Sequence, residues 1–172
     1  MKLKIIRLVA AMVLLLSCGS TSKTSTSSYH AYDAPATIKT NFTAQYPNAT
    51  NVVWSRYDTA QVPIDWELTN WTVMDTSDYA VRFDMDHQNY HAWYDSQGNW
   101  VGSAYAVNDQ TTLPAAVTST LISQYAGYTI ESVQKEMWKG HSAYEIRMGN
   151  GDNKAKLLIA ENGTILKQKP KG

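Results

Sequence analysis

The stretch APATIKTNFTAQY, residues 34–46, decides the reading of this chain, because it returns as LPAAVTSTLISQY at residues 113–125. Pro35 and Pro114, Ala36 and Ala115, Gln45 and Gln124, and Tyr46 and Tyr125 all stand 79 positions apart. In each copy an apolar residue recurs every fourth position: Ile38, Phe42 and Tyr46, then Val117, Leu121 and Tyr125. That spacing makes one apolar stripe along a helix. Asp33 and Thr112 are the expected N-caps, and the two prolines suit a first helical turn, where a missing N–H costs nothing.

Further along, the offset changes to 65: YAVRF at 79–83 matches YEIRM at 144–148, and YDSQG at 94–98 matches IAENG at 159–163. The shorter offset means that the first copy carries about 14 extra residues, near Asp58 to Trp71. Tyr79, Val81, Phe83 and Met85 alternate with Ala80, Arg82, Asp84 and Asp86, the pattern of a half-buried strand. Residues 95–99 and 161–163 place glycine in tight turns. The expected fold class is α+β: two tandem repeats, about 34–107 and 113–170, each a helix followed by antiparallel strands. Together they would form one long sheet with both helices on one face. The opposite face is expected to be open.

The start of the chain has a different character. Lys2, Lys4 and Arg7 precede the apolar run Leu8–Leu16, which is far shorter than the roughly 20 residues a membrane-spanning helix needs. A charged start and a short apolar run make a secretory signal. Leu15-Leu16-Ser17-Cys18 resembles the lipobox of bacterial lipoproteins, which implies cleavage after residue 17 and a lipid on Cys18. Residues 18–33 are rich in Ser and Thr with few apolar positions and read as a flexible tether to a domain at 34–170. Cys18 is the single cysteine, so no internal disulfide is possible and stability must come from packing.

The chain holds 15 basic and 15 acidic residues, and removal of the signal's three cations leaves the remainder acidic. Nucleic acid, which calls for a basic face, is not an expected partner. The lysines between Lys154 and Lys171 alternate with apolar residues and read as a solvated strand face and tail. Six Trp and eleven Tyr against two Phe favour a binding surface, since indole and phenol combine an apolar body with a polar handle.

The helix starts with proline, the Gln-Tyr helix ends, the Val-Val-Trp stretch at 52–54, the Tyr-x-Val/Ile-Arg strands at 79–82 and 144–147 and the YDSQGNW stretch at 94–100 carry a resemblance. Over about residues 34–168 the chain resembles the PepSY-like proteins of Bacteroides-type bacteria, which are similar to beta-lactamase inhibitor protein. The resemblance implies a tandem α+β fold with a concave sheet face, the face with which the inhibitor protein grips an enzyme through aromatic residues.

No catalytic constellation is legible. His87 and His91 are four apart near a hairpin tip, a spacing that brings two imidazoles together on a helix but not across a turn, so no metal is expected. Asp65 and Glu67 alternate with Ile64, Trp66 and Leu68 and read as the wet face of a strand. The expected binding face follows from strand alternation: Arg82, His91, Trp93 and Arg147 point away from the helices, with Trp66 and Trp71 as a second patch. No cofactor is expected. The expected function is a non-enzymatic, membrane-anchored module that binds or inhibits another protein of the cell envelope; the alternative is a carbohydrate binder or hydrolase using the aromatic surface. Gly19 after Cys18 and the absence of acidic residues at 19–32 point to the periplasmic side of the outer membrane.

Overall fold

A computed structural model of the chain describes residues 32–69 and 71–169. The signal segment, Cys18 and all but the last two residues of the 18–33 tether lie outside them. The elements run helix α1 (Ala36–Gln45), strands β1 (Thr50–Arg56), β2 (Tyr79–Met85), β3 (Gln88–Tyr94) and β4 (Trp100–Ala106), helix α2 (Ala115–Gln124), and strands β5 (Thr129–Trp138), β6 (His141–Asn150), β7 (Asn153–Ala160) and β8 (Ile165–Lys169). The eight strands form one open antiparallel sheet in sequence order. Each strand therefore pairs with its chain neighbours, which needs only short turns. Asp86 and His87 form the β2–β3 turn, both with positive φ, the backbone that a two-residue hairpin loop requires.

Both helices lie on one face. Phe42 of α1 meets Trp54 and Phe83 edge-on, with ring centroids 5.3 and 5.0 Å apart, and Tyr46 covers Phe83 at 4.7 Å. Val117 and Leu121 of α2 sit on Val133, Ile146, Met148, Leu157 and Ile159. Tyr105 of the first cluster pairs with Lys135, and Lys135 with Tyr144 of the second, so the two clusters share a side of the sheet. Each helix is tied to the turn after its third strand: Asn41 Nδ2 donates to the Gly98 carbonyl at 2.9 Å, and Thr120 Oγ1 to the Gly163 carbonyl at 2.8 Å.

The expected caps are not used. Pro35 and Pro114 are themselves the N-cap residues, with no side-chain capping bond. Asp33 instead pairs with Lys39, and Thr112 donates to the Asp109 carbonyl inside a preceding 3₁₀ turn at Gln110–Thr112.

The face away from the helices is not open. The connection between β1 and β2, residues 57–78, crosses it as a strap. Tyr57, Ile64, Trp71 and Met74 pack on Trp93, Val101 and Ala104, and Leu68 packs on Ala143 and Leu158. The covering was set up by small residues on that face. Trp71 lies directly on Gly102, where an added Cβ would come within 2.6 Å of the indole. Gly102→Ala is expected to destabilise the fold by about 1–3 kcal/mol through this overlap. Gly140→Ala meets no atom within 4 Å and carries only the strain of its φ of 77°. Thermal melts of the two variants check this: the Gly102 variant should melt several degrees below the parent and lower than the Gly140 variant.

Candidate functional site

Directly opposite residues of an antiparallel ladder point to one side, so the register lays out the strapped face in rows. One row runs Arg82, His91, Ala104, Glu136 and Ala143; the next carries Ala80, Trp93 and Gly102. Beyond Glu136 lie Glu145, Leu158 and Lys167, then Arg147, Lys156 and Lys169. The alternation expected for Arg82, His91, Trp93 and Arg147 thus puts all four on the face away from the helices.

Their exposure is where the expectation fails. Trp93 is 1% exposed, buried by the strap rather than offered to solvent. Trp66 and Trp71 do not form a separate patch. They close over Trp93 with centroid distances of 5.7 and 5.6 Å and meet each other edge-on at 5.3 Å. Trp138 adds a fourth indole, 6.0 Å from Trp71. An aromatic ring that stacks on sugar needs a free face, and the Trp71 and Trp93 rings are buried. His91 lies beside Trp93, the rings nearly parallel at 6.1 Å. Burial first, and the Arg82 charge second, hold its imidazole down at about 4, so His91 is neutral at neutral pH. His87 stands exposed at the hairpin tip. Among the described residues no group of three or more His, Cys, Asp or Glu could hold a metal ion.

Asp65 is not on a wet strand. Residues 65–68 form a turn closed by the Leu68 N–H to the Asp65 carbonyl at 2.9 Å. The Asp65 carboxylate pairs with both Lys156 and Lys169, the latter at 2.7 Å. Burial pushes the Asp65 carboxyl up, but the hydrogen bonds from Lys156 and Lys169 outweigh it and bring it to about 2. The lysines expected on a solvated face are therefore engaged: Lys169 also meets Glu67 at 2.6 Å, and Lys167 donates to the Thr69 carbonyl at 3.4 Å. Glu145, buried at 1% exposure, accepts the Asp65 backbone N–H at 2.5 Å and the Arg147 Nε–H at 3.0 Å. Arg147 in turn donates to the Pro63 carbonyl at 3.3 Å.

Glu136 escaped the sequence reading because a glutamate at an outward strand position looks like any solvated residue. It is completely buried, no cation among the described residues pairs with it, and its carboxyl lies against that of Glu145. A buried, unpaired carboxylate is costly to ionise. Burial first, and the adjacent Glu145 second, therefore hold the Glu136 carboxyl well above the usual carboxylate range. The one legible signal of this covered site was the run of small outward residues, Gly102, Ala104 and Ala143, where a wet face would carry polar side chains.

The signs of these shifts set a pH profile. The unfolded chain takes up a proton on His91 below about 6.5 while the folded chain resists until about 4, so stability falls as the medium is acidified through that window. Glu136 acts oppositely: its contribution is full below about 4.5 and is lost as pH rises towards its raised value. Melting temperature followed against pH should fall on both sides, and Glu136→Gln should flatten the alkaline side while leaving the acid side in place.

Residues 76–167 match a family described as "Putative beta-lactamase-inhibitor-like, PepSY-like". No curated protein matches the chain. Several solved structures share its fold. A DUF2874 family protein from Bacteroides uniformis is 23% identical, covering 80% of this chain and 89% of its own, with a TM-score of 0.62. A protein from Bacteroides fragilis described as BLIP-like is 21% identical, covering 80% and 87%, with a TM-score of 0.64. One from Bacteroides eggerthii, described among "putative periplasmic proteins", is 19% identical, covering 80% and 89%, with a TM-score of 0.61.

Proposed function

The chain belongs to the beta-lactamase-inhibitor-like, PepSY-like family, and from that membership we propose that it is a non-catalytic binding module that holds another protein of the cell envelope. The observation that carries the reading is the sheet face away from the helices. It gathers Arg82, Arg147, Trp93 and Trp138, residue types that dominate binding energy, together with His91, Lys156, Lys167 and Lys169, on one side of the eight-stranded sheet. Arg82 and Arg147 flank the strap, His91 lies beneath it, and the strap's Trp66 and Trp71 pack over Trp93. The BLIP-like description of the Bacteroides fragilis structure supports a protein partner, and the periplasmic description of the Bacteroides eggerthii one supports the compartment.

Two finer readings belong to the same proposal. The helix and four strands form a unit used twice: the Asn41–Gly98 and Thr120–Gly163 bonds tie each helix to its own third turn at the 79 and 65 offsets legible in the sequence. The strap is then the first unit's insertion. The module hangs from lipid on Cys18 by the 18–33 tether, at the periplasmic side of the outer membrane.

Affinity capture from a membrane extract of the source bacterium tests the face. Arg82→Ala should lose a specific captured protein while its melting profile stays within a degree or two of the parent. Capture retained in both Arg82→Ala and Arg147→Ala overturns this choice of face. Metabolic labelling with an alkyne-tagged fatty acid tests the anchor: the parent should carry label and Cys18→Ser should not, whereas an unlabelled parent overturns it.

A further inference from the structure

The strap is an excursion that the sheet does not need. Its ends meet where the Tyr57 N–H donates to the Asp78 carbonyl at 3.0 Å, and Arg56 donates to the Ser77 carbonyl at 2.5 Å beside them. Below that neck Arg56 already pairs with Tyr79 in the β1–β2 ladder. Lifting the strap therefore breaks no strand pairing. Among the described residues, the hydrogen bonds between strap and sheet run through side chains, and none joins backbone to backbone. Such a segment is held as a ligand is held.

The charge pattern says the same. Residues 58–78 contain Asp58, Asp65, Glu67, Asp75 and Asp78 and no lysine or arginine. The face beneath offers Arg147, Lys156, Lys167 and Lys169. The fit is specific as well as electrostatic. Two ammonium groups receive one carboxylate, Glu145 receives the N–H of that same residue, Arg147 and Lys167 reach strap carbonyls, and Trp93 and Trp138 provide a shelf for indoles, with Gly102 leaving the space for one. The occupant is also an imperfect one. The Nε1 atoms of Trp66 and Trp71 are buried without hydrogen-bond partners. Buried donors without partners cost stability in the closed state, and these two indoles regain water when the strap lifts.

We propose that the strap is an internal stand-in for part of a partner protein: an acidic-aromatic segment of the Asp-Trp-Glu type displaces it and docks on the Lys156–Lys169–Glu145 cradle and the Trp93–Trp138 shelf. This rests on the binding-module reading and names the partner chemistry that the face accepts. The strap then keeps the lysine and tryptophan surface covered until a segment of better fit arrives, and binding is coupled to its release. By mass action the partner's apparent affinity is lowered by the work of opening the strap, so loosening the strap should tighten binding.

The test uses a fluorescein-labelled peptide with the sequence VPIDWELTNWT, residues 62–72, added to the full chain and followed by anisotropy. Asp65→Asn loosens the strap's anchor on Lys156 and Lys169 and leaves the cradle intact. The peptide should bind this variant at least tenfold more tightly than the parent. Binding should weaken with added salt and fall to the level of a scrambled peptide when Lys169→Glu is added. A folded Asp65→Asn chain that binds the native and scrambled peptides alike overturns the proposal. If that variant does not fold, hydrogen exchange of the parent decides: excess peptide should speed exchange in residues 58–78 and leave the β2–β3 ladder protected, and unchanged strap exchange overturns it. An envelope protein captured by the parent but not competed off by the peptide overturns this inference and leaves the binding-module reading standing. Lys169-dependent peptide binding with no captured protein supports the chemistry of the cradle and overturns the envelope-protein reading, and with it the claim that a partner supplies the segment.

Discussion

An eight-stranded sheet has two faces, and two ten-residue helices can cover only one of them. Everything distinctive in this protein follows from how the other face is handled. Trp93, Val101, Ala104 and Leu158 make it too apolar to leave in water, and the described residues hold no third α-helix to lay on it. Its cover is the β1–β2 connection. Among its described residues the regular structure is one 3₁₀ turn at Thr59–Gln61, so its side chains must do the holding. Trp71 does so on the flat ground left by Gly102, and Asp65 does so between two lysines.

Covering a sheet face with an irregular segment has an electrostatic consequence. The central row of the sheet carries His91 and Glu136 into a place where neither can be charged cheaply, and both are neutral at neutral pH. At the edge of the same face the opposite strategy holds: Asp65 is mostly buried but fully compensated, and its carboxylate stays charged. The interior of the cover is thus neutral and poorly hydrogen-bonded, and its margin is ionic and well paired. Such an interface holds its register through the margin, because the centre contributes packing but little direction.

Much of the fold was legible in the sequence because it is written in short-range periodicities. The Ile38–Phe42–Tyr46 and Val117–Leu121–Tyr125 stripes, the alternation from Tyr79 to Met85 and the glycine turns each follow from local backbone geometry, and these elements are present. The alternation also placed Arg82, His91, Trp93 and Arg147 on the correct side of the sheet. What was hidden is what lies above that side. Trp66 and Asp65 alternate with their neighbours as strand residues do, but their partners are Trp93 and Lys156, brought near only by the long connection folding back. Period-2 patterning tells which way a side chain points and not whether another segment covers it. The buried pair Glu136 and Glu145 was hidden for the same reason.

The central claim is that residues 57–78 close the second face, with the Trp71 indole resting on Gly102. Nuclear magnetic resonance on the folded chain measures that contact directly. The account predicts Overhauser contacts between the Trp71 ring protons and the Gly102 α-protons, with those α-protons shifted upfield by the indole ring current. A well-dispersed spectrum in which Gly102 shows ordinary α-proton shifts and no contact to Trp71 would contradict it.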